Sequence, residues 1–228
     1  MILILMVLVC GQPYFIDQLT PWPLQHAQYG LLMRFGPEGS LLGYGMIGIL
    51  DRVHLGISYG AANLIGAEDP EFYPRPEVQA KIVLMDQRFY LPQILLGFDS
   101  QGHGVHSDGR YEVKSKGFYL VGGEHLGLQF GYLDLGLGIN YSLESTDSKT
   151  PSLFAGVGIG IGPSFSMLFD YDLGSNDPQT DGPGYFNLGI RWLVNDQVLF
   201  EFGLRDLLSM RDDQSFNRMV KIGYFDLF

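Results

Sequence analysis

The sequence predicts an all-β fold, a closed antiparallel up-and-down transmembrane β-barrel of about 12 strands. Apolar residues alternate with glycine or charged residues at a period of two through most of the chain. Short turns alternate with longer polar connections along the sequence. The 228 residues include 31 Gly and are 14% aromatic, yet they contain no apolar run long enough to predict a transmembrane helix.

The alternation is clearest in the segment SLFAGVGIGIG, which places Leu153, Val157 and Ile159 on one face and Gly156 and Gly158 on the other. In a soluble sandwich the outward face is rich in charged and hydroxyl side chains. Here the apolar face is the fuller one, and the second face is small or sparsely charged. Lipid outside and a narrow lumen inside impose this pattern, so the apolar face is predicted to face lipid.

The turns divide the barrel region into segments of strand length. An even strand number places both ends of the barrel at the short-turn end, which is the periplasmic end. A barrel of ten strands is the alternative. Strands are predicted near residues 27–35, 40–50, 53–60, 77–87, 93–99, 114–124, 127–142, 152–161, 164–173, 184–194, 197–206 and 217–228.

The amino end, MILILMVLVC, has the length of a signal-peptide core, so residues 1–11 are predicted to be a signal peptide. It has no basic flank, which a start further upstream would explain, and a buried first strand or helix is the alternative. Cys10 would be the acylated residue of a lipoprotein, but Val9 stands where a small residue is required, so plain cleavage is favoured. Residues 12–26 are then a periplasmic lead-in, and residues 27–228 form one barrel domain. A single cysteine excludes an intrachain disulfide and a zinc site built from cysteines.

The chain ends in KIGYFDLF, where Ile222, Tyr224 and Phe228 fall on the apolar side of a predicted strand. This ending resembles the terminal signal of bacterial outer-membrane barrels. The resemblance implies recognition by the barrel-assembly machinery and insertion into the outer-membrane lipid of a Gram-negative cell envelope.

Charged residues on the inward face of the last strands are predicted to form a lumenal network, because an isolated buried charge is costly. Acidic residues on neighbouring strands are the predicted partners of the basic ones. Such a network would fill the barrel rather than catalyse a reaction. Its predicted members are Arg191, Glu201, Arg205, Lys221, Asp134, Asp170 and Asp172.

One loop carries the residue types of a hydrolase: His103, His106, Ser107 and Asp108. Imidazole beside a carboxylate can activate water or a serine hydroxyl, or can bind a metal. The simpler interpretation is a polar, glycine-rich surface loop. Since no recognised catalytic motif accompanies it, we predict no enzyme activity, no metal and no cofactor, and keep an outer-membrane hydrolase as the alternative.

The segments Leu95–Gly97, Phe118–Val121 and Leu133–Tyr141, together with Asp99, resemble the glycine-rich part of YjbH-type proteins. These segments cover roughly a quarter of the chain. The Ser-Lys pair expected after Val121 is missing. The resemblance implies an outer-membrane barrel associated with exopolysaccharide secretion and with envelope polysaccharide export components.

The predicted function is therefore a structural, small-pore or export-related role in the outer membrane, linked to polysaccharide secretion. The net charge of −11 argues against nucleic acid as a partner. A soluble periplasmic β-barrel or sandwich that binds a ligand is the third class considered.

Overall fold

A computed structural model describes residues 12–67, 69–144, 150–177, 182–209 and 217–228. The predicted signal peptide lies outside the described residues. The period-two pattern forms strands almost throughout, with one short 3₁₀ turn at Pro37–Gly39. The strands are β1 (Gln28–Phe35), β2 (Leu41–Ile49), β3 (Val53–Ala62), β4 (Glu71–Phe72), β5 (Glu77–Met85), β6 (Gln93–Asp99), β7 (His103–Ser107), β8 (Arg110–Val113), β9 (Gly117–Leu128), β10 (Gly131–Tyr141), β11 (Ser152–Ile161), β12 (Phe165–Asp172), β13 (Tyr185–Val194), β14 (Val198–Arg205) and β15 (Asn217–Leu227).

Twelve of the described strands, all except β4, β7 and β8, form one closed antiparallel barrel. Strand β15 returns to pair with β1, in a register that runs from Gln28 opposite Leu227 to Phe35 opposite Val220. Strands β2 and β3 complete the ring through their own pairing. The predicted fold class and strand number are confirmed, and closure leaves no unpaired sheet edge for the membrane to meet.

One turn differs from the prediction. The sequence analysis ended a strand at residue 124, where Glu124 interrupts the outward apolar pattern. In the structure β9 continues to Leu128, and the turn to β10 falls at residues 129–130. The outward alternation continues through Leu126 and Leu128, which are both exposed, so the strand extends past the single glutamate.

The two faces of the barrel wall follow the predicted alternation. Leu153 and Ile159 are exposed on the outside, while Gly156 and Gly158 are buried on the inside. Among the described residues, helical structure of the length and hydropathy needed to cross a bilayer does not occur.

Substitution of an outward residue by arginine tests whether this apolar surface meets lipid. Ile190 is 58% exposed in the middle of β13, and Ile190→Arg should lower the free energy of unfolding by about 2–4 kcal/mol in lipid vesicles. Leu50, which is 68% exposed in the β2–β3 turn, is the matched control, and Leu50→Arg should cost about 0–1 kcal/mol. Equal, small effects at both positions in denaturant titrations would indicate a soluble barrel instead.

Candidate functional site in the barrel lumen

The segment that precedes the barrel is folded into the lumen. Residues 12–20, here called the finger, reverse direction in a tight turn. The backbone N–H of Phe15 donates to the carbonyl of Gln18 (2.8 Å), and that of Thr20 donates to the carbonyl of Pro13 (3.2 Å). The chain then leaves along the short-turn end, where the N–H of Ala27 donates to the carbonyl of Gly48 (3.1 Å). The finger therefore enters the barrel from its periplasmic end.

Residues 12–26 are predicted to be a periplasmic lead-in, and the structure places residues 12–20 of that segment inside the barrel. Phe15, Ile16 and Leu19 are almost completely buried inside it. Three large apolar side chains in nine residues favour burial over exposure to the periplasm.

Inward glycines provide the space for these side chains. The Phe15 ring lies directly against Gly156 and Gly136, and a Cβ atom added at Gly136 would lie 2.8 Å from the ring. Ile16 occupies the space above Gly189, where an added Cβ atom would lie 3.2 Å from its side chain. Part of the glycine content that the sequence analysis assigned to a narrow lumen thus accommodates the finger.

The tip of the finger carries a carboxylate between two arginines. An oxygen of Asp17 lies 2.7 Å from Nη1 of Arg34, and its other oxygen lies 2.5 Å from Nε of Arg205. All three side chains are buried. Burial alone would raise the pKa of Asp17, but Arg205 and Arg34 hold that pKa well below its usual value. Asp17 is therefore ionised, and it neutralises two wall cations.

A carboxylate of the barrel wall also binds the finger. Asp170 accepts the backbone N–H groups of Ile16, Asp17 and Gln18 at 2.7–2.9 Å, and it accepts the Asn187 amide at 2.6 Å. Three adjacent N–H groups on one carboxylate fix the turn at the tip. Asp170 and Arg34 lie near the long-loop ends of β12 and β1, so the tip reaches most of the way through the barrel.

Wall cations also bind the carbonyl oxygens of the finger. Nη2 of Arg191 donates to the carbonyls of Tyr14 (2.8 Å) and Phe15 (2.6 Å). Lys81 donates to the carbonyl of Pro13 (2.8 Å), and Lys221 donates to that of Ile16. The finger thus supplies oxygen acceptors to three basic side chains on opposite parts of the wall.

The structure brings together only part of the predicted network. Glu201 lies 2.6 Å from Nη2 of Arg191 and 2.9 Å from Nζ of Lys221, as a central carboxylate between two cations. Arg205 instead pairs with Asp17 of the finger. The prediction took the partners of the basic residues from neighbouring strands only, and therefore did not include Asp17.

The three predicted acidic partners contact other groups. Asp134 lies 2.6 Å from Nδ1 of His125, and Asp172 pairs with Lys116. Asp170 binds the finger backbone, as described above. The expected pairing of these carboxylates with Arg191, Arg205 and Lys221 is therefore not what the structure shows, since finger carbonyls, Asp17 and Glu201 take those positions.

The histidine loop forms the hairpin β7–β8, and its candidate catalytic residues do not converge. Nε2 of His103 lies 3.1 Å from Nη1 of Arg34, whereas His106 packs against the ring of Tyr111. Ser107 and Asp108 are exposed at the hairpin turn. Burial and Arg34 hold the pKa of His103 well below its usual value. Within the described ranges, no three His, Cys, Asp or Glu side chains are grouped to hold a metal ion.

The finger separates two small cavities. One, of about 40 Å³, lies toward the long loops and is bordered by Asp17, His103 and Arg205. The other, also about 40 Å³, lies toward the short turns and is bordered by Phe15 and Trp22. Each has room for only a few water molecules. The finger therefore fills the described lumen between these two cavities.

Comparison with solved structures identifies the architecture. The chain is similar to the KdgM porin, with a TM-score of 0.58 and 9% sequence identity, covering 86% of this chain and 98% of the porin. The fold is that of an outer-membrane porin. The KdgM porin in complex with disordered oligogalacturonate gives a TM-score of 0.55 at 9% identity, covering 88% of this chain and 99% of that one. The Acinetobacter baumannii outer membrane protein Omp33 gives 0.48 at 8% identity, covering 88% and 97%.

The closed barrel and its apolar outer face place the chain in the bacterial outer membrane. No family model matches the sequence, and no curated relative matches it either. The porin neighbours do not support the YjbH-type resemblance.

Proposed function

We propose that this chain is an outer-membrane channel, rather than an enzyme, and that its own amino-terminal finger closes the lumen. The observation that carries the proposal is the position of Asp17, which enters from the periplasmic end and is clamped between Arg34 and Arg205. A finger in this position blocks the path that the porin fold provides.

The contacts that hold the finger favour a gate over a permanent core. Its polar attachments to the wall are ion pairs and hydrogen bonds to wall side chains, and the described β-pairing of the finger is the bridge between its own residues Tyr14 and Leu19. Well-packed apolar residues would fill a permanent core at least as stably as buried ion pairs. Polar contacts can be replaced by water or by a solute, so the finger can withdraw without breaking the barrel.

An acidic oligosaccharide is the solute class that we propose for the channel. Withdrawal of the finger would leave basic side chains on the wall without their finger acceptors. One of the structural neighbours is described in complex with oligogalacturonate, an acidic saccharide. The proposal retains a link to envelope polysaccharide, with export components as partners. The wall cations concerned are Arg34, Lys81, Arg191, Arg205 and Lys221.

Assembly by the barrel-assembly machinery belongs to the same proposal. Ile222 and Tyr224 face outward on β15, and the Phe228 ring lies 5.0 Å from that of Tyr29 on β1. These residues therefore border the β1–β15 seam, where the barrel closes. This position supports a role of the last strand in closure.

Asp17→Asn tests the gate. The amide keeps the size of the side chain but removes the charge that pairs with Arg34 and accepts the hydrogen bond of Arg205, and a hydrogen bond to a charged group is worth about 1.5–3 kcal/mol. In planar lipid bilayers the open fraction should rise at least about tenfold, since every 1.4 kcal/mol corresponds to a factor of ten. Asp86→Asn, which removes an exposed rim carboxylate paired with Arg52, is the matched control and should leave conductance unchanged.

Heat-modifiable migration in gels reports whether each variant is folded. Phe15→Ala provides a second test, because it loosens the finger without leaving an arginine unpaired. Folded Asp17→Asn and Phe15→Ala barrels that conduct no more than the unaltered chain would contradict the gate.

A further inference from the structure

Arg34 and Arg205, here called the clamp, form a preformed arrangement of hydrogen-bond donors. Asp17 of the finger occupies it. Arg34 is the last residue but one of β1 and Arg205 is the last of β14, and both are more than nine-tenths buried. Glu201 is engaged by Arg191 and Lys221 instead. When the finger withdraws, the two guanidinium groups therefore lose the carboxylate that neutralises them.

The clamp also has donors that Asp17 does not use. Nη2 of Arg34 is buried and has no hydrogen-bond partner among the described residues, and the same is true of Nδ1 of His103. Arginine has no acceptor, so Nε2 of His103 must accept from Arg34, and the ring proton then lies on Nδ1. A buried donor without a partner is costly. The adjoining cavity is bordered by His103, Arg205 and Asp17, so an acceptor in it would lie beside His103 and Arg205.

We infer that Arg34, Arg205 and His103 form a carboxylate-binding site, which Asp17 occupies in the closed barrel and a solute carboxylate occupies after the finger withdraws. The inference rests on the proposed gate and names the chemical group that the open channel would bind. The class of ligand follows from the present occupant, a planar carboxylate. Guanidinium groups match that geometry with paired N–H donors, and the Nδ1–H of His103 adds a further donor without adding charge.

A solute must compete with an occupant that is tethered to the barrel. A tethered group acts at an effective concentration in the millimolar range or above. Solute carboxylates are therefore expected to engage the site weakly while the finger is intact and more strongly once Asp17 is removed. Removal of Asp17 is thus the condition under which the site can be tested directly.

The test is chemical rescue of the full-length chain carrying Asp17→Gly. This change removes a carboxymethyl group, and acetate supplies the same atoms in solution. The variant should lose thermal stability, and sodium acetate should restore part of the melting temperature at a concentration about tenfold lower than sodium chloride requires. Asp86→Gly, at the exposed Arg52–Asp86 pair, is the control, and it should show no difference between the two salts. If the Asp17→Gly barrel does not fold in chloride, its folded yield in acetate, scored by heat-modifiable migration, replaces the melting temperature.

Removal of the clamp should abolish the rescue. In the Asp17→Gly background, Arg34→Gln should eliminate the advantage of acetate over chloride, whereas Arg52→Gln should keep it. Equal rescue by acetate and chloride would overturn the inference, and so would stronger rescue by inorganic phosphate at equal ionic strength. Because rescue is measured without ion flow, its failure alongside raised conductance in Asp17→Asn would reject the carboxylate site and leave the gate standing.

Discussion

Glu201→Leu is expected to lower the free energy of unfolding by about 3–5 kcal/mol, because it removes the shared partner of two buried cations. The Glu201 side chain has no exposed surface and lies 2.6 Å from Arg191 and 2.9 Å from Lys221. Leucine is similar in size, so the loss comes from the uncompensated charges and not from a cavity. Denaturant titration of the refolded barrel in lipid vesicles measures it.

A double-mutant cycle separates this contact from a contact between Glu201 and Arg205, which both point inward on β14. Glu201→Leu and Arg191→Met should couple by about 0.5–3 kcal/mol, since removal of both partners leaves less unpaired charge than removal of one. Glu201→Leu and Arg205→Met should be additive, because Arg205 binds Asp17 instead. Strong coupling of Glu201 with Arg205 and none with Arg191 would show that the described network is wrong.

The barrel was predictable from sequence because lipid requires an apolar side chain at every outward position of the wall. Lipid selects an apolar side chain at alternate residues, so Leu153 and Ile190 could be assigned to the outer face without knowledge of their neighbours. The wrongly placed turn between β9 and β10 arose at Glu124, where one outward position departs from that demand. A single exception is compatible with a strand when the alternation resumes beyond it.

The contact partners of the charged lumenal side chains were less predictable than the inward orientation of those side chains. Arg191, Glu201, Arg205 and Lys221 were assigned inward from their phase alone, and they are all buried. Their partners depend on strand stagger and on groups from other parts of the chain. Backbone carbonyls, which bind Arg191 and Lys221, leave no signal in residue type.

The finger was missed because its sequence, QPYFIDQLT, has no strand periodicity and precedes the first recognisable strand. One signal was present. Gly136, Gly156, Gly189 and Gly203 all fall on inward positions, and a glycine in a strand interior marks a bulge, a bend or a close approach of other atoms. A cluster of such positions on neighbouring strands indicates an inserted segment.

Gly156→Leu is expected to hold the channel open, because the new side chain takes the place of the Phe15 ring. A Cβ atom at this position already overlaps that ring. Strand β11 is held on both sides by hydrogen bonds to β10 and β12. The finger, and not the strand, is therefore expected to be displaced. Overpacking a well-packed core typically costs about 1–3 kcal/mol. The closed state should therefore lose about tenfold to a hundredfold in population, since every 1.4 kcal/mol corresponds to a factor of ten.

Conductance in planar bilayers tests this expectation, with a control variant and with a double variant that exchanges the sizes of residues 15 and 156. Gly127→Leu is the matched control, since an added Cβ atom there has no neighbour within 4 Å, and it should leave the channel closed. Phe15→Ala combined with Gly156→Leu should close the channel again, because the leucine then fills the space that the ring has vacated. A folded Gly156→Leu barrel that conducts no more than Gly127→Leu would show that the finger is not the barrier. Failure of Phe15→Ala to reverse the opening would show that leucine acts on the barrel wall instead of on the finger.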